Sequence, residues 1–233
     1  MMLEHIGIAA CSAEGAALCY RTICMEATTL LGKYRHPEVT MHTHPFNMYM
    51  DCIEARDWEG VADLMITSAE ILAGAGADFV ICPDNTIHQA FGLVVSRSPV
   101  PWLNIAREVA VEAKRLDCRR LGVMGTRFLM EGPVYPEQLS RVGIEHRIPT
   151  ADERDRINDI IFNELVTSCC ASESLAYLLD VVSGLKDQGC NAVVLGCTEL
   201  PLVITPEESM LPTLDSTRLL ARSALNRSIG DAH

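Results

Sequence analysis

The sequence predicts an α/β fold: two pseudo-symmetric parallel-sheet α/β domains with the active site between them. Two observations carry this. Short apolar runs alternate with longer amphipathic runs along the chain, the pattern of parallel strands covered by helices on both faces. The chain also repeats weakly. AGADFVICPDNT (Ala75 to Thr86) aligns with QGCNAVVLGCTE (Gln188 to Glu199) at an offset of 113 residues, and IGIAACS (Ile6 to Ser12) with LGVMGTR (Leu121 to Arg127) at 115. Buried strands resemble one another by chance, but two matches at nearly one offset favour two similar halves.

In chain order, His5 to Ala10 is a short apolar strand and Ala16 to Leu31 a helix. Glu38 to His42 is a second strand. Trp58 to Gly74 carries apolar residues at helical spacing (Val61, Leu64, Met65, Ala69, Leu72) and stops at Gly74 and Gly76, as helices often do. Phe79 to Cys82 is a buried strand ended by Pro83, and Pro101 to Ile105 a further short strand. A helix over Val109 to Leu116 leads to a strand over Arg120 to Met124. Pro136 to Val142 is helical and Glu145 to Ile148 a weak strand. Asp152 to Val166 and Ser174 to Gln188 are long helices, Ala192 to Leu195 is a continuous apolar strand, and Thr217 to Asn226 is a closing helix. Asp215-Ser216-Thr217 reads as the N-cap of that helix. No Pro/Gly/Ser-rich linker is visible.

The expected division is an N-terminal domain of residues 1–97 with 208–233, and a C-terminal domain of 98–207. The last segment is given to the first domain because LPTLDSTRLLARSALN adds a helix after the second repeat is complete.

Composition bounds the function. Apolar residues make up 48% and charged residues 21%, ordinary for a packed soluble protein. A net charge of −12 with no basic cluster disfavours nucleic acid and anionic membrane as partners. Ten cysteines occur without a CxxC pair or zinc-finger spacing. No secretory signal is seen at Met1 to Ala10, and no apolar run reaches the ~18 residues of a membrane helix. Reduced thiols in a cytoplasmic protein follow as the expectation.

In open α/β sheets, ligands bind beyond the carboxyl ends of the strands. With two halves facing each other, the tips Ala10-Cys11-Ser12, Pro83-Asp84-Asn85-Thr86, Gly125-Thr126-Arg127 and Gly196-Cys197-Thr198-Glu199 meet in one cleft. The repeat then sets Asp84 opposite Cys197. A cysteine is more often packing than chemistry. One that follows a buried strand and a glycine, at a turn whose amides can bind anions, is a candidate nucleophile or base. Asn85, Thr86, Thr126 and Thr198 are short hydrogen-bonding side chains suited to a small carboxylate.

GADFVICPDNTIH, GTRFLMEGPVYP, IPTADERDRINDIIFNEL, GCTELPL and LPTLDST spread over nearly the whole chain. On these motifs the sequence resembles the aspartate/glutamate racemase family of cofactor-independent amino-acid racemases, GCTELP being the most specific. The resemblance implies two pseudo-symmetric α/β domains, no cofactor, no metal, and two cysteines that remove and return the α-proton of an amino acid. One of these cysteines falls on Cys197. The other falls on position 84, where the family's Cys-Asn-Thr reads Asp84-Asn85-Thr86. It also implies that Asn85, Thr86 and Thr198 hold the substrate carboxylate. The first loop departs too: the family often has Gly-Gly where this chain has Ala10-Cys11, followed by Ser12.

Racemisation needs one proton-exchanging group on each face of a planar carbanion. A carboxyl group can serve, although a free Asp titrates near 4. Cys82 lies within its strand and reads as buried. His42, His44 and His88 lack the accompanying acid of a zinc motif. His44 reads either as a substrate contact or as an exposed loop residue. Arg127 pairs either with a substrate carboxylate or with the next helix. The expected enzyme is an amino-acid racemase acting through Cys197 and Asp84, with a homodimer as its default assembly. A decarboxylase or maleate-type cis–trans isomerase using Cys197 alone is the rival enzyme class. A non-catalytic binding protein for small carboxylates is the third reading.

Overall fold

The computed structural model describes residues 3–167 and 169–230. The chain forms two compact units, Met1–Glu108 with Thr217–His233, and Val109–Ser216.

The first unit is built on three parallel strands in the order β2-β1-β3: β1 (Ile6–Ala10), β2 (Val39–Thr43) and β3 (Phe79–Ile81). β1 is buried along its whole length, which is why it reads as an unbroken apolar run rather than an alternating one. The crossovers are helical. α1 (Ala13–Leu31) joins β1 to β2, and its first turn is capped by Ser12, whose Oγ accepts from the Gly15 amide at 3.3 Å. α2 (Phe46–Glu54) and α3 (Trp58–Gly74) join β2 to β3. After β3 the chain makes a 3-10 turn (Thr86–Ala90) and α4 (Phe91–Val95), then enters α5 (Ile105–Arg115). The strand expected over Pro101 to Ile105 reduces to one parallel bridge, Trp102 to Val80. Pro101 has no amide to donate and Ile105 already starts α5. The closing helix, residues 216–229, inserts Leu220, Ala221 and Ala224 among Ile6, Ile8, Cys19 and Ile23. Two ion pairs tie it further, Arg222–Glu26 (2.8 Å) and Arg227–Glu4 (2.9 Å).

The second unit carries four parallel strands in the order β5-β4-β6-β7: β4 (Arg120–Met124), β5 (Glu145–Arg147), β6 (Ala192–Leu195) and β7 (Thr213–Asp215). Its helices are α6 (Arg127–Met130), α7 (Val134–Arg141), α8 (Ala151–Asn163), α9 (Ser172–Asp187) and α10 (Leu200–Val203), before α11 (Ser216–Ile229) returns to the first unit. A capping box starts α8, with Thr150 and Glu153 bonded reciprocally. The single helix expected to Val166 ends at Asn163 and tightens into a 3-10 turn over Leu165–Thr167. α8, α9 and β6 share one aliphatic core that includes Ile157, Ile160, Leu178, Val182, Leu185 and Val193.

Residues 213–215 form a strand that sequence reading did not anticipate, and α11 starts directly after it at Ser216, within the Asp215-Ser216-Thr217 segment read as its N-cap. Ser216 is fully buried and its Oγ donates to the Leu195 carbonyl at 3.0 Å. The hydroxyl thus ties the start of α11 to the end of β6. Among the described residues no helix is long and apolar enough to cross a membrane.

Candidate active site

The named residues sit at the carboxyl ends of strands in both units. In the second unit, Cys197 lies two residues beyond β6 and is 8% exposed. Its thiol donates to Glu199 Oε2 at 2.9 Å, and the Thr198 hydroxyl donates to the same oxygen at 2.8 Å. Glu199 is itself buried, 5% exposed. A buried carboxylate is tolerated only when it is well hydrogen-bonded, and here its two donors include the candidate nucleophile. Thr126, at the tip of β4, caps α6: its Oγ1 accepts from the Leu129 amide at 3.2 Å. Arg127 is exposed and pairs with Asp155 at 3.1 Å.

In the first unit, Asp84 follows β3 and opens the 3-10 turn. Its Oδ1 accepts from the Ile87 amide at 3.2 Å, and Asn85 and Thr86 beside it are buried. Its main-chain carbonyl accepts from His88 Nδ1 at 2.6 Å. Cys82 is fully buried, and that burial, aided by the nearby charge of Asp84, pushes its thiol well above the ordinary range. A thiol held protonated in this way is a poor base. Cys11 is buried as well.

His42 lies in β2 and His44 directly follows it. His44 Nε2 lies 3.1 Å from the Leu64 carbonyl and so donates to α3. His42 Nδ1 lies 3.0 Å from Ser68 Oγ, and the two imidazoles meet edge-on at 4.8 Å. Partial burial and the neighbouring His44 lower the His42 pKa. Tyr49 of α2 stands against His44 and is fully buried, with Ser68 near its hydroxyl. Burial first, then the proximity of Cys82, Cys11 and Asp84, drives its pKa far up. Among the described residues no three His, Cys, Asp or Glu side chains come together as a metal-ligand set.

Two residues escaped sequence reading. Glu199 is visible in GCTE, but nothing in the string says that its carboxylate turns back onto Cys197. Tyr49 lies in a helix that local patterning did not reveal, between His44-Pro45 and the Asp57 cap of α3.

A thiol and a buried carboxylate thus stand at the carboxyl end of a strand in a parallel α/β sheet, where ligands of such folds bind. The sequence matches the model of the Asp/Glu/Hydantoin racemase family over residues 8–224, and the chain belongs to that family of isomerases. It is 23% identical, over 82% of each chain, to the broad-specificity amino-acid racemase RacX of Bacillus subtilis. A Yersinia pestis protein crystallised as a candidate Asp/Glu racemase superposes with a TM-score of 0.90 at 27% identity, covering 97% of this chain and 100% of that one. An aspartate racemase homologue from Pyrococcus horikoshii gives 0.83 at 27% identity over the same shares. Glutamate racemase RacE1 of Bacillus anthracis, at 16% identity and a TM-score of 0.69 over 98% of this chain and 83% of that one, shares the fold.

Proposed function

We propose that this chain is an amino-acid racemase that uses no cofactor. Cys197 exchanges the α-proton on one face of the substrate carbanion and Asp84 exchanges it on the other. Asn85, Thr86, Thr126, Thr198, Ser12 and His44 make up the polar lining that receives the amino acid. Family membership and relatives bearing the name of amino-acid racemase support the substrate class.

The observation that carries the reading is the hydrogen bond from the Cys197 thiol to the buried Glu199 carboxylate. Shifting that proton gives a thiolate beside a neutral carboxylic acid, so no second negative charge accumulates in a desolvated site. The thiolate then takes the α-proton. A protonated Asp84 returns a proton to the opposite face, and the reverse sequence converts the other enantiomer. The two unlike groups cannot exchange roles freely, because a carboxyl group and a thiol differ intrinsically in proton affinity. Exchange should therefore be fast from one enantiomer and slow from the other. The acidic surface and the unbridged thiols favour a cytoplasmic enzyme with no nucleic-acid partner, assembled as a homodimer.

Incubation with L- and D-amino acids in deuterium oxide, read by proton NMR at Cα, tests this. Loss of the Cα signal is expected, at unequal rates for the two enantiomers, and Asp84→Cys should bring the rates together. Carbon dioxide release or a cis–trans product without Cα exchange would place the chain in the decarboxylase or maleate-type class instead.

A further inference from the structure

We infer that His88 is a positioning residue for Asp84, clamping the Asp84 main chain to the start of α5 through both nitrogens of its ring. The inference rests on the role proposed for Asp84.

Five facts about His88 converge. It is 4% exposed, so its partners are protein groups. Nδ1 lies 2.6 Å from the Asp84 carbonyl oxygen, and a carbonyl only accepts, so Nδ1 carries the proton. With the proton on Nδ1, Nε2 of the neutral ring accepts from the Ile105 amide at 3.3 Å, with the Leu103 main chain also beside the ring. The short bond to the Asp84 carbonyl selects the Nδ1–H tautomer of the neutral ring, and both nitrogens are engaged by main-chain groups. The ring is stacked on Phe91 at 5.2 Å with an interplanar angle of 11°, which fixes its plane. Burial lowers its pKa to about 4, so the neutral form persists through the working range of a cytoplasmic enzyme.

Both ends of the clamp meet a need. Ile105 opens α5, and the first amides of a helix lack an intrahelical acceptor. Asn104 Oδ1 satisfies the Arg107 amide at 3.0 Å, and His88 Nε2 satisfies Ile105. At the other end, the Asp84 turn is short and irregular. The Ile87 amide orients the Asp84 carboxylate and His88 holds its carbonyl. The repeat shows why a clamp is needed here. Position 88 aligns with Pro201, four residues past Cys197, where the ring restricts the backbone covalently. The Asp84 turn has no such proline and uses a side chain in its place.

An acid or base displaced by an ångström loses much of its rate, so the effect should fall on the face that Asp84 serves. The enantiomer assigned to Asp84 is the one whose Cα exchange Asp84→Asn abolishes. His88→Phe keeps the ring and removes both hydrogen bonds. It should slow exchange of the Asp84 enantiomer by roughly 10- to 100-fold and leave the other within about threefold. His88→Asn returns a donor to the Nδ1 position and should recover most of the loss. His88→Gln returns only an acceptor near Nε2 and should not. If the Phe variant does not fold, the Asn and Gln pair carries the comparison alone. Nitrogen-15 NMR of the imidazole in the unaltered protein should show Nδ1–H and a bare Nε2 at neutral pH. The Nε2–H tautomer, equal slowing of both enantiomers, or equal recovery by Gln and Asn would overturn the inference while leaving the racemase reading intact. Absence of exchange for both enantiomers in the unaltered enzyme would instead remove the racemase reading and this role with it.

Discussion

The two sheets share a frame down to single hydrogen bonds, and they differ at their tips. In the first unit Gly7 pairs with Val80 and the Asp78 amide donates to the His5 carbonyl; in the second Gly122 pairs with Val193 and the Asn191 amide donates to the Arg120 carbonyl. The Val80 amide donates to Pro101 and the Val193 amide to Pro212. Ser98 Oγ closes a turn onto Val100 just as Ser209 Oγ does onto Leu211. The agreement reaches packing. A Cβ on Gly7 would come within 3.3 Å of Leu72 Cβ, and one on Gly122 within 2.8 Å of Leu185 Cδ1, so each glycine lets a helix lie close on its strand. At the turns that directly follow β3 and β6 the likeness fails. One tip reads Pro-Asp-Asn-Thr and opens a 3-10 turn clamped by His88; the other reads Gly-Cys-Thr-Glu and folds a buried carboxylate onto its thiol. Sheet geometry constrains the frame through every ladder bond, whereas a tip is constrained only by its own turn and can carry different chemistry.

Thiols from the two units give the strongest way to break this contrast. Cys197→Ser should lower Cα exchange by roughly 10²- to 10⁴-fold, the range of a lost general acid or base. Cys82→Ala, on the first unit's strand, should leave exchange within a few-fold. Deuterium uptake on a confirmed substrate measures both, and comparable losses in the two variants would erase the distinction between tip and strand.

The shared frame can be probed with its glycines. In Gly7→Ala the new methyl meets the Cβ atoms of Ala77 (3.1 Å) and Leu72 (3.3 Å), which no rotamer change can move. A loss of roughly 1–3 kcal/mol is expected from such overpacking. In Gly122→Ala the tightest neighbour, Leu185 Cδ1 at 2.8 Å, can rotate away, which leaves one fixed Cβ contact at 3.3 Å where Gly7→Ala meets two, and the reduced entropy of the unfolded chain returns about 0.4–1 kcal/mol. Urea unfolding should rank Gly7→Ala as clearly the more damaging.

Acid should separate the tips. The folded-state pKa of His88, about 4, lies below that of an unfolded histidine near 6.5. The unfolded chain therefore binds the extra proton first. The contribution is fully present above the unfolded value and is lost as pH falls toward 4. Between pH 7 and 5 this amounts to roughly 2 kcal/mol. Urea unfolding of the unaltered protein and of His88→Asn at both pH values should show that much less pH dependence in the variant. The aligned position in the second unit, Pro201, carries no titrating side chain.

The smallest effect concerns the caps at the strand starts. Asp78 Oδ2 accepts from the His5 amide at 2.7 Å, and Asn191 Oδ1 accepts from the Arg119 and Arg120 amides at 3.1 and 3.0 Å. Alanine at either position should cost on the order of 1 kcal/mol, and both losses should appear in thermal melts without altering exchange rates at low temperature.

The sequence by itself determined the strand–helix order, the doubled α/β plan and the place of Cys197 and Asp84 after aligned strands. Those features are written in local patterns: continuous apolar runs, helix-ending glycines, and a repeat at one offset. Tertiary structure decided what local pattern does not encode. Pro101 to Ile105 became a single bridge because α5 claims Ile105, while Thr213–Asp215 became a full strand because β6 offers it a ladder. The Ser216 hydroxyl was turned inward by the Leu195 carbonyl, 21 residues away in sequence. The His88 tautomer was set by a carbonyl four residues back and an amide seventeen residues on. The Glu199 carboxylate was folded onto Cys197 by a turn whose course depends on burial among the helices of its unit. In each case the deciding partner is brought close by packing or sheet register, and a hydrogen bond exists only once both partners are in place.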